Sequence, residues 1–341
     1  YTPIPGSSYV VFGKASGFDA AMNLSDLDGS NGFHLDNAEN DNFLGYSVSS
    51  AGDINGDGFD DVIVSALSLA GSFYYYGPNP NAGSSYVVFG KASGFDATMN
   101  LSDLDGSNGF RLNREDENDG GGISVSNAGD INGDGIDDLI VGNSRADPNG
   151  LSSGSSYVVF GKTSGFNATM NLSVLDGSNG FRLDGEAAGD MSGISVSNAG
   201  DVNGDGFDDV IVGAAGADPN GNSSGSSYVV FGKASGFSAT LEFSSLDGSN
   251  GFRLDGVTVG DRSGSSVSNA GDVNGDGFDD VIVSAPSSGS SYVVFGKASG
   301  FSATLDLSSF DGSNGFRLDG VAAYDHSGFS VSNAGDVNGD G

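Results

Sequence analysis

The sequence predicts an all-β fold, a β-propeller built of four-stranded antiparallel blades. Three observations predict it: five copies of one repeat, four short β-type runs in each copy, and no stretch that keeps a helical period. The repeat is marked by the nonapeptide Gly-Ser-Ser-Tyr-Val-Val-Phe-Gly-Lys, which begins at Gly6, Gly83, Gly154, Gly225 and Gly289. Its lysines, Lys14, Lys91, Lys162, Lys233 and Lys297, are spaced 77, 71, 71 and 64 residues apart, so a common unit carries insertions of different length.

In one unit the runs are Ile194 to Ser197, Val210 to Val212, Tyr228 to Phe231 and Phe252 to Leu254, expected as strands A, B, C and D. Gly/Ser/Asn/Asp clusters separate them, as turn chemistry requires. In the C-to-D connection Leu101-Ser102-Asp103-Leu104 is long enough for one helical turn, with Ser102 as its expected cap. One four-stranded sheet cannot cover both of its own faces, so tandem units of this size are read as blades packed radially. A stacked β-solenoid normally has shorter coils. The chain opens at a C strand and ends in the loop after a fifth A strand. The units run approximately 1–44, 45–115, 122–186, 193–257, 264–320 and 328–341, in a single propeller domain or a fragment of one.

Of 341 residues 37% are hydrophobic, enough for a sizeable core. A net charge of −33 would repel nucleic acid and anionic membrane, and it makes divalent cations the natural counter-charge. No run of 18 apolar residues is present to span a membrane. The absence of Cys excludes disulfides, thiolate metal sites and Cys nucleophiles. With His34 and His326 the only histidines, and neither in a repeated acid/base constellation, no enzyme is expected. The start at Tyr1-Thr2-Pro3, with no Met and no signal peptide, reads as a mature or excised piece.

Between strands A and B each unit repeats one nine-residue loop, Asp53-Ile-Asn-Gly-Asp-Gly-Phe-Asp-Asp61, with copies from Asp130, Asp201 and Asp272 and a shortened one from Asp336. Calcium takes six to eight oxygen ligands, and carboxylates or amides at positions 1, 3, 5 and 9 with a backbone carbonyl at 7 meet that demand. The expected ligand sets are Asp53, Asn55, Asp57, Phe59 and Asp61; Asp130, Asn132, Asp134, Ile136 and Asp138; Asp201, Asn203, Asp205, Phe207 and Asp209; Asp272, Asn274, Asp276, Phe278 and Asp280; and the incomplete Asp336, Asn338 and Asp340. Gly58 at position 6 allows the sharp turn around the ion. Position 12 holds Val64, Val141, Val212 or Val283, inside a β-run, which excludes EF-hand and dockerin-like loops. Asp60, at position 8, is expected to point away as a solvated charge.

In order, Leu44-Gly45-Tyr46-Ser47-Val48, the loop Asp53 to Asp61, then Ser284-Ala285-Pro286 or Gly213-Ala214-Ala215, and Ser227-Tyr228-Val229-Val230 resemble the FG-GAP repeats of integrin α-chain β-propellers and their bacterial relatives. The likeness extends over essentially all 341 residues. The Phe of the opening Phe-Gly pair is replaced by Gly121, Ser192, Ser263 and Ser327. The resemblance implies a seven-bladed ring, of which five repeat units are present, and a ligand face turned away from the calcium loops.

Variation between units concentrates in the B-to-C and D-to-A connections, which lie on that other face of a blade. Candidate ligand-face residues are Tyr74, Tyr75, Tyr76, Arg114, Arg145, Arg262 and His326, since Tyr and Arg are typical anchors. His34, standing where other units have Arg, is expected to be structural. The leading expectation is a calcium-binding extracellular adhesion or recognition module that engages a protein or glycan ligand. The alternative is a structural unit of a large surface-layer or filament-forming protein, packed against copies of itself.

Overall fold

The computed structural model describes residues 6–36, 43–67, 83–115, 124–322 and 325–337. Three sheets among them are complete blades. The first runs β3 (Leu44–Gly52), β4 (Asp61–Ala66), β5 (Ser84–Val88) and β7 (Gly109–Asn113). The second runs β8 (Ser124–Gly129), β9 (Asp138–Asn143), β10 (Ser155–Val159) and β12 (Gly180–Asp184). The third runs β13 (Ser192–Gly200), β14 (Asp209–Ala214), β15 (Ser226–Val230) and β17 (Gly251–Asp255). A fourth sheet has the same order, β18 (Val267–Gly271), β19 (Asp280–Ala285), β20 (Ser290–Val294) and β22 (Gly315–Asp319). The chain begins with a C and D pair, β1 (Ser8–Val11) and β2 (Gly32–Asp36). Pairing from A to D is antiparallel throughout, with Val212 opposite Tyr228 and Tyr228 opposite Arg253 in the third complete blade. The fold is therefore all-β, made of β-propeller blades.

The C strands are apolar at consecutive positions because both of their faces are covered. Ser155–Val159 is buried at every residue. Tyr157 and Val159 pack with Phe110 and Leu112 of the preceding blade, while Val158 joins Tyr228 and Val230 of the following one. The core thus lies between blades rather than within them, and no blade could keep it alone.

The opening pair and the three complete blades each also receive an added edge strand that sequence reasoning missed. The short runs β6 (Thr98–Asn100), β11 (Thr169–Asn171), β16 (Thr240–Glu242) and β21 (Thr304–Asp306) lie in C-to-D connections, yet pair in parallel with β2, β7, β12 and β17 of the preceding unit. Three residues carry too little pattern to be read, and their partner lies in another repeat. A 3-10 turn follows each of them. At Leu101–Asp103 the cap is Asn100, whose Oδ1 accepts the Ser102 amide at 3.0 Å, so Ser102 is the donor and not the expected cap.

The outer junctions are aromatic. The D-strand phenylalanines Phe33, Phe110, Phe181 and Phe252 stack at 4.6 to 4.7 Å on Phe95, Phe166, Phe237 and Phe301 of the next unit. The repeated lysines stand over these second rings, Lys162 at 4.8 Å from the Phe166 centroid. At the inner side a serine of one A strand accepts an amide from the next, Ser47 from Val125, Ser124 from Val196 and Ser195 from Val267, and Ser266, just before β18, accepts from Val331, at 3.1 to 3.2 Å. The expected fifth A strand does not form among residues 325–337. The other A strands pair with a B strand of their own unit, and no such run follows it within the 341 residues.

Removing one fully buried D-strand ring should therefore loosen two blades at once. Phe181→Ala is expected to cost about 3–5 kcal/mol in urea unfolding, whereas Lys162→Ala should cost under about 1 kcal/mol.

Candidate metal centre and recognition face

A bulge opens each A-to-B loop. The A strand slips register at its final glycine, between Asn198 and Gly200 in the third complete blade, and that glycine has φ +71°. From there the loop folds on its own side chains. In the loop from Asp53, the Asp53 carboxylate accepts the amides of Asp57 and Gly58 at 2.9 and 2.8 Å, Asn55 Oδ1 also accepts from Asp57, and Asp57 Oδ1 accepts from Phe59. The same bonds recur in the loops from Asp130, Asp201 and Asp272.

Position 9 is the first residue of each B strand, and its carboxylate is buried. Asp61 accepts from Ile54 and Gly90, Asp138 from Ile131 and Gly161, Asp209 from Val202 and Gly232, and Asp280 from Val273 and Gly296, at 2.7 to 3.2 Å. Each carboxylate thus ties its loop to the Phe-Gly-Lys that ends the C strand. Burial pushes Asp61 up to about 7, Asp138 and Asp209 to about 8 and Asp280 to about 6. The two amides work against that rise, and the carboxylates at positions 1 and 5 add to it.

The donor set is all oxygen, which suits a hard cation such as calcium and no soft one. Among the described residues no three acidic or imidazole side chains converge as a finished metal cage. The carboxylates are turned onto loop amides, with lone pairs left over for an ion. Asn338 and Asp340 lie outside the described residues; Asp336 is described and exposed.

At position 8 the first loop is as expected and the other three are not. Asp60 is exposed, but Asp137, Asp208 and Asp279 are half-buried and reach the preceding blade, where their Oδ2 atoms accept the amides of Asp53, Asp130 and Asp201 at 2.8, 2.8 and 3.0 Å. Each of these three loops is thereby bonded to the loop of the blade before it. Position 7 is also an inter-blade contact. A methyl group at Gly133 would meet the ring of Phe207, and one at Gly204 the ring of Phe278. Nothing in the sequence signals either contact, because both partners lie a whole unit away.

On the other face the B-to-C and D-to-A connections of a unit are bonded together. Met191 donates its amide to Ser152 O and Arg262 to Ser223 O, both at 3.0 Å. Four units place a different residue at one left-handed backbone position: Phe43, Met191, Arg262 and His326, with φ from 53° to 64°, all with exposed side chains. Only Arg262 and His326 were expected there; Phe43 and Met191 could have been found from their place two residues before a glycine, as in Arg262-Ser-Gly and His326-Ser-Gly. Arg114 follows β7 and Arg145 follows β9, both half-buried and both with interaction partners. Tyr74, Tyr75 and Tyr76 lie outside the described residues. Two carboxylates of the D-to-A connection hold the next blade, Glu115 bonding Tyr157 and Arg182, and Glu186 bonding Tyr228 and Arg253. His34 stacks on Tyr9 at 4.8 Å.

Comparison with known proteins agrees with this geometry. The family model described as FG-GAP repeat matches residues 121–159, 192–230 and 263–300, which hold strands A, B and C and the loop of three units. Integrin alpha-PS5 of Drosophila melanogaster is 34% identical over 177 residues, covering 52% of this chain and 15% of that protein. Integrin alpha-V of Gallus gallus is 30% identical over 192 residues, covering 53% and 16%. Integrin alpha-4 of Xenopus laevis is 32% identical over 169 residues, covering 47% and 14%. The matched region is therefore a small part of each relative's length. Three stretches of the chain thus match the FG-GAP repeat, and about half of the chain is similar in sequence to integrin alpha chains.

Proposed function

We propose that the chain is an extracellular recognition module stiffened by calcium, binding one ion in each of its four complete A-to-B loops. The observation that carries this reading is the fourfold identity of the loop: carboxylates recur at positions 1, 5 and 9 with an amide oxygen at position 3, and the ninth is buried at a strand start. Asp53, Asn55, Asp57 and Asp61 and their counterparts would hold the ion together with the carbonyl of position 7, and the ion would relieve the repulsion among them. Similarity to integrin alpha chains supports recognition as the role, with a protein or glycan as partner. The face of Phe43, Met191, Arg262 and His326 supplies the variable contacts, because one backbone position presents chemically different side chains from unit to unit.

Calcium should raise the melting temperature and EDTA lower it. With a dissociation constant of about 10⁻⁴ M, 10 mM calcium stabilises by about 2.7 kcal/mol per loop. Identical melting curves in the two conditions would sink the ion reading.

The effect should depend on pH. Without metal the position-9 carboxylates have raised pKa values in the folded chain, so their contribution to stability is full below the unfolded value of 3.8 and is lost as pH rises through 6 to 8. In EDTA the melting temperature should fall from pH 5 to pH 8.5. Calcium requires the ionised carboxylates, so the gap between calcium and EDTA should widen over the same window.

For the partner, the expected result is capture of an extracellular-matrix protein or a glycan on an array. Replacing Phe43, Met191, Arg262 and His326 together by Ala should abolish it while leaving the calcium-dependent melt unchanged.

A further inference from the structure

Neighbouring loops are bonded directly to one another. Asp208 belongs to the loop from Asp201, one residue before its buried Asp209, yet its Oδ2 accepts the amide of Asp130 in the preceding blade. The Asp208 amide in turn donates to Asp130 O at 3.3 Å, so position 1 of one loop is held on both sides by position 8 of the next. The Lys233 amide adds a bond to Ile131 O at 2.9 Å, and the Phe207 side chain covers Gly133. The carboxylate sits in a notch kept open by Gly129, which has φ +68° and where a methyl group would collide with Asp208 Oδ2. Asp279 makes the same pair of bonds to Asp201, and Asp137 makes the side-chain bond to Asp53.

The loop from Asp272 gives the contrast among the described residues. Among the described residues no position-8 carboxylate reaches Asp272, which is exposed, whereas Asp53, Asp130 and Asp201 are half-buried. Position 2 of that loop, Val273, is 50% exposed, while Ile54, Ile131 and Val202 are fully buried. What distinguishes the three enclosed loops is the following blade.

We infer that Asp137, Asp208 and Asp279 are positioning residues that couple neighbouring ion sites, so that ordering one loop prepares position 1 of the loop before it. This rests on the calcium reading above. An ion in the loop from Asp201 fixes Phe207 and Asp208 between its positions 5 and 9, and these are the groups that hold Asp130. Binding energies are reciprocal, so an ion at Asp130 favours one at Asp201 in equal measure. The array then fills cooperatively, and within the 341-residue chain the loop from Asp272, which no described position-8 carboxylate reaches, fills last.

The test is a calcium titration of the 341-residue chain followed by NMR at the amides of Gly58, Gly135, Gly206 and Gly277, each of which donates to the position-1 carboxylate of its own loop. In the unmodified chain Gly277 is expected to respond at the highest calcium concentration, an arm that needs no substitution. Asp208→Ala leaves every ligand in place and should shift the Gly135 midpoint upward about tenfold. Asp208→Asn keeps an acceptor and should restore most of the loss. Asp60→Ala, the same position but exposed, should move none of the four. A response of all loops with Gly135 unmoved in Asp208→Ala, or with Gly277 responding no later than the others, overturns the coupling and leaves the ion sites standing. No response of any glycine to calcium overturns both.

Discussion

A carboxylate buried at the first residue of every B strand is the constraint on which the other contacts depend. Asp61, Asp138, Asp209 and Asp280 are each nearly inaccessible, and each accepts one amide from its own loop and one from the end of the C strand. A buried charge is costly without partners, and two amides are a partial answer. The two bonds fix where the loop leaves the A strand and where the C strand ends. They therefore fix where positions 1, 3 and 5 stand and where the Phe-Gly-Lys begins its run toward the neighbouring blade. A cation among the remaining oxygens would complete what the amides begin.

From that point the blade-to-blade architecture follows a division of labour across each sheet. At the inner side, serines of the A strands bond amides one blade onward. At the middle, the C strands are buried on both faces. At the outer side, pairs of phenylalanine rings under a lysine close the junction, and a three-residue strand from the next unit is added to the D edge. Much of the chain's scarce positive charge is consumed in this way. The repeated lysines cover rings, while Arg182 and Arg253 bind acidic residues of their own strand and of the preceding unit. On the loop face Arg262 and His326 are exposed.

The repeat exposed the fold because one unit written five times averages out local ambiguity. The four runs lie inside the four observed strands apart from Phe231, and the real strands are longer, with β13 extending to Ser192 and Gly200 around the predicted Ile194 to Ser197. The loop was equally legible, since its Asp/Asn/Gly spacing is local chemistry. Asp60 is exposed as read, but its exposure does not carry over to Asp137, Asp208 or Asp279, whose partners lie in the preceding blade. Ser102 misled because a serine next to a turn can be either cap or donor, and Asn100, inside an unrecognised strand, took the cap.

By itself the sequence determined what repeats: the strand order, the oxygen-rich loop and the side on which units differ, all set by residues within a few positions of one another. The tertiary structure alone decided which blade each of those residues serves. The position-8 carboxylates, the stacked phenylalanines and the added edge strands all act on a neighbouring unit. In an array of near-identical units every copy offers the same candidate partner, so only the packing of one blade against the next can say which partner is used.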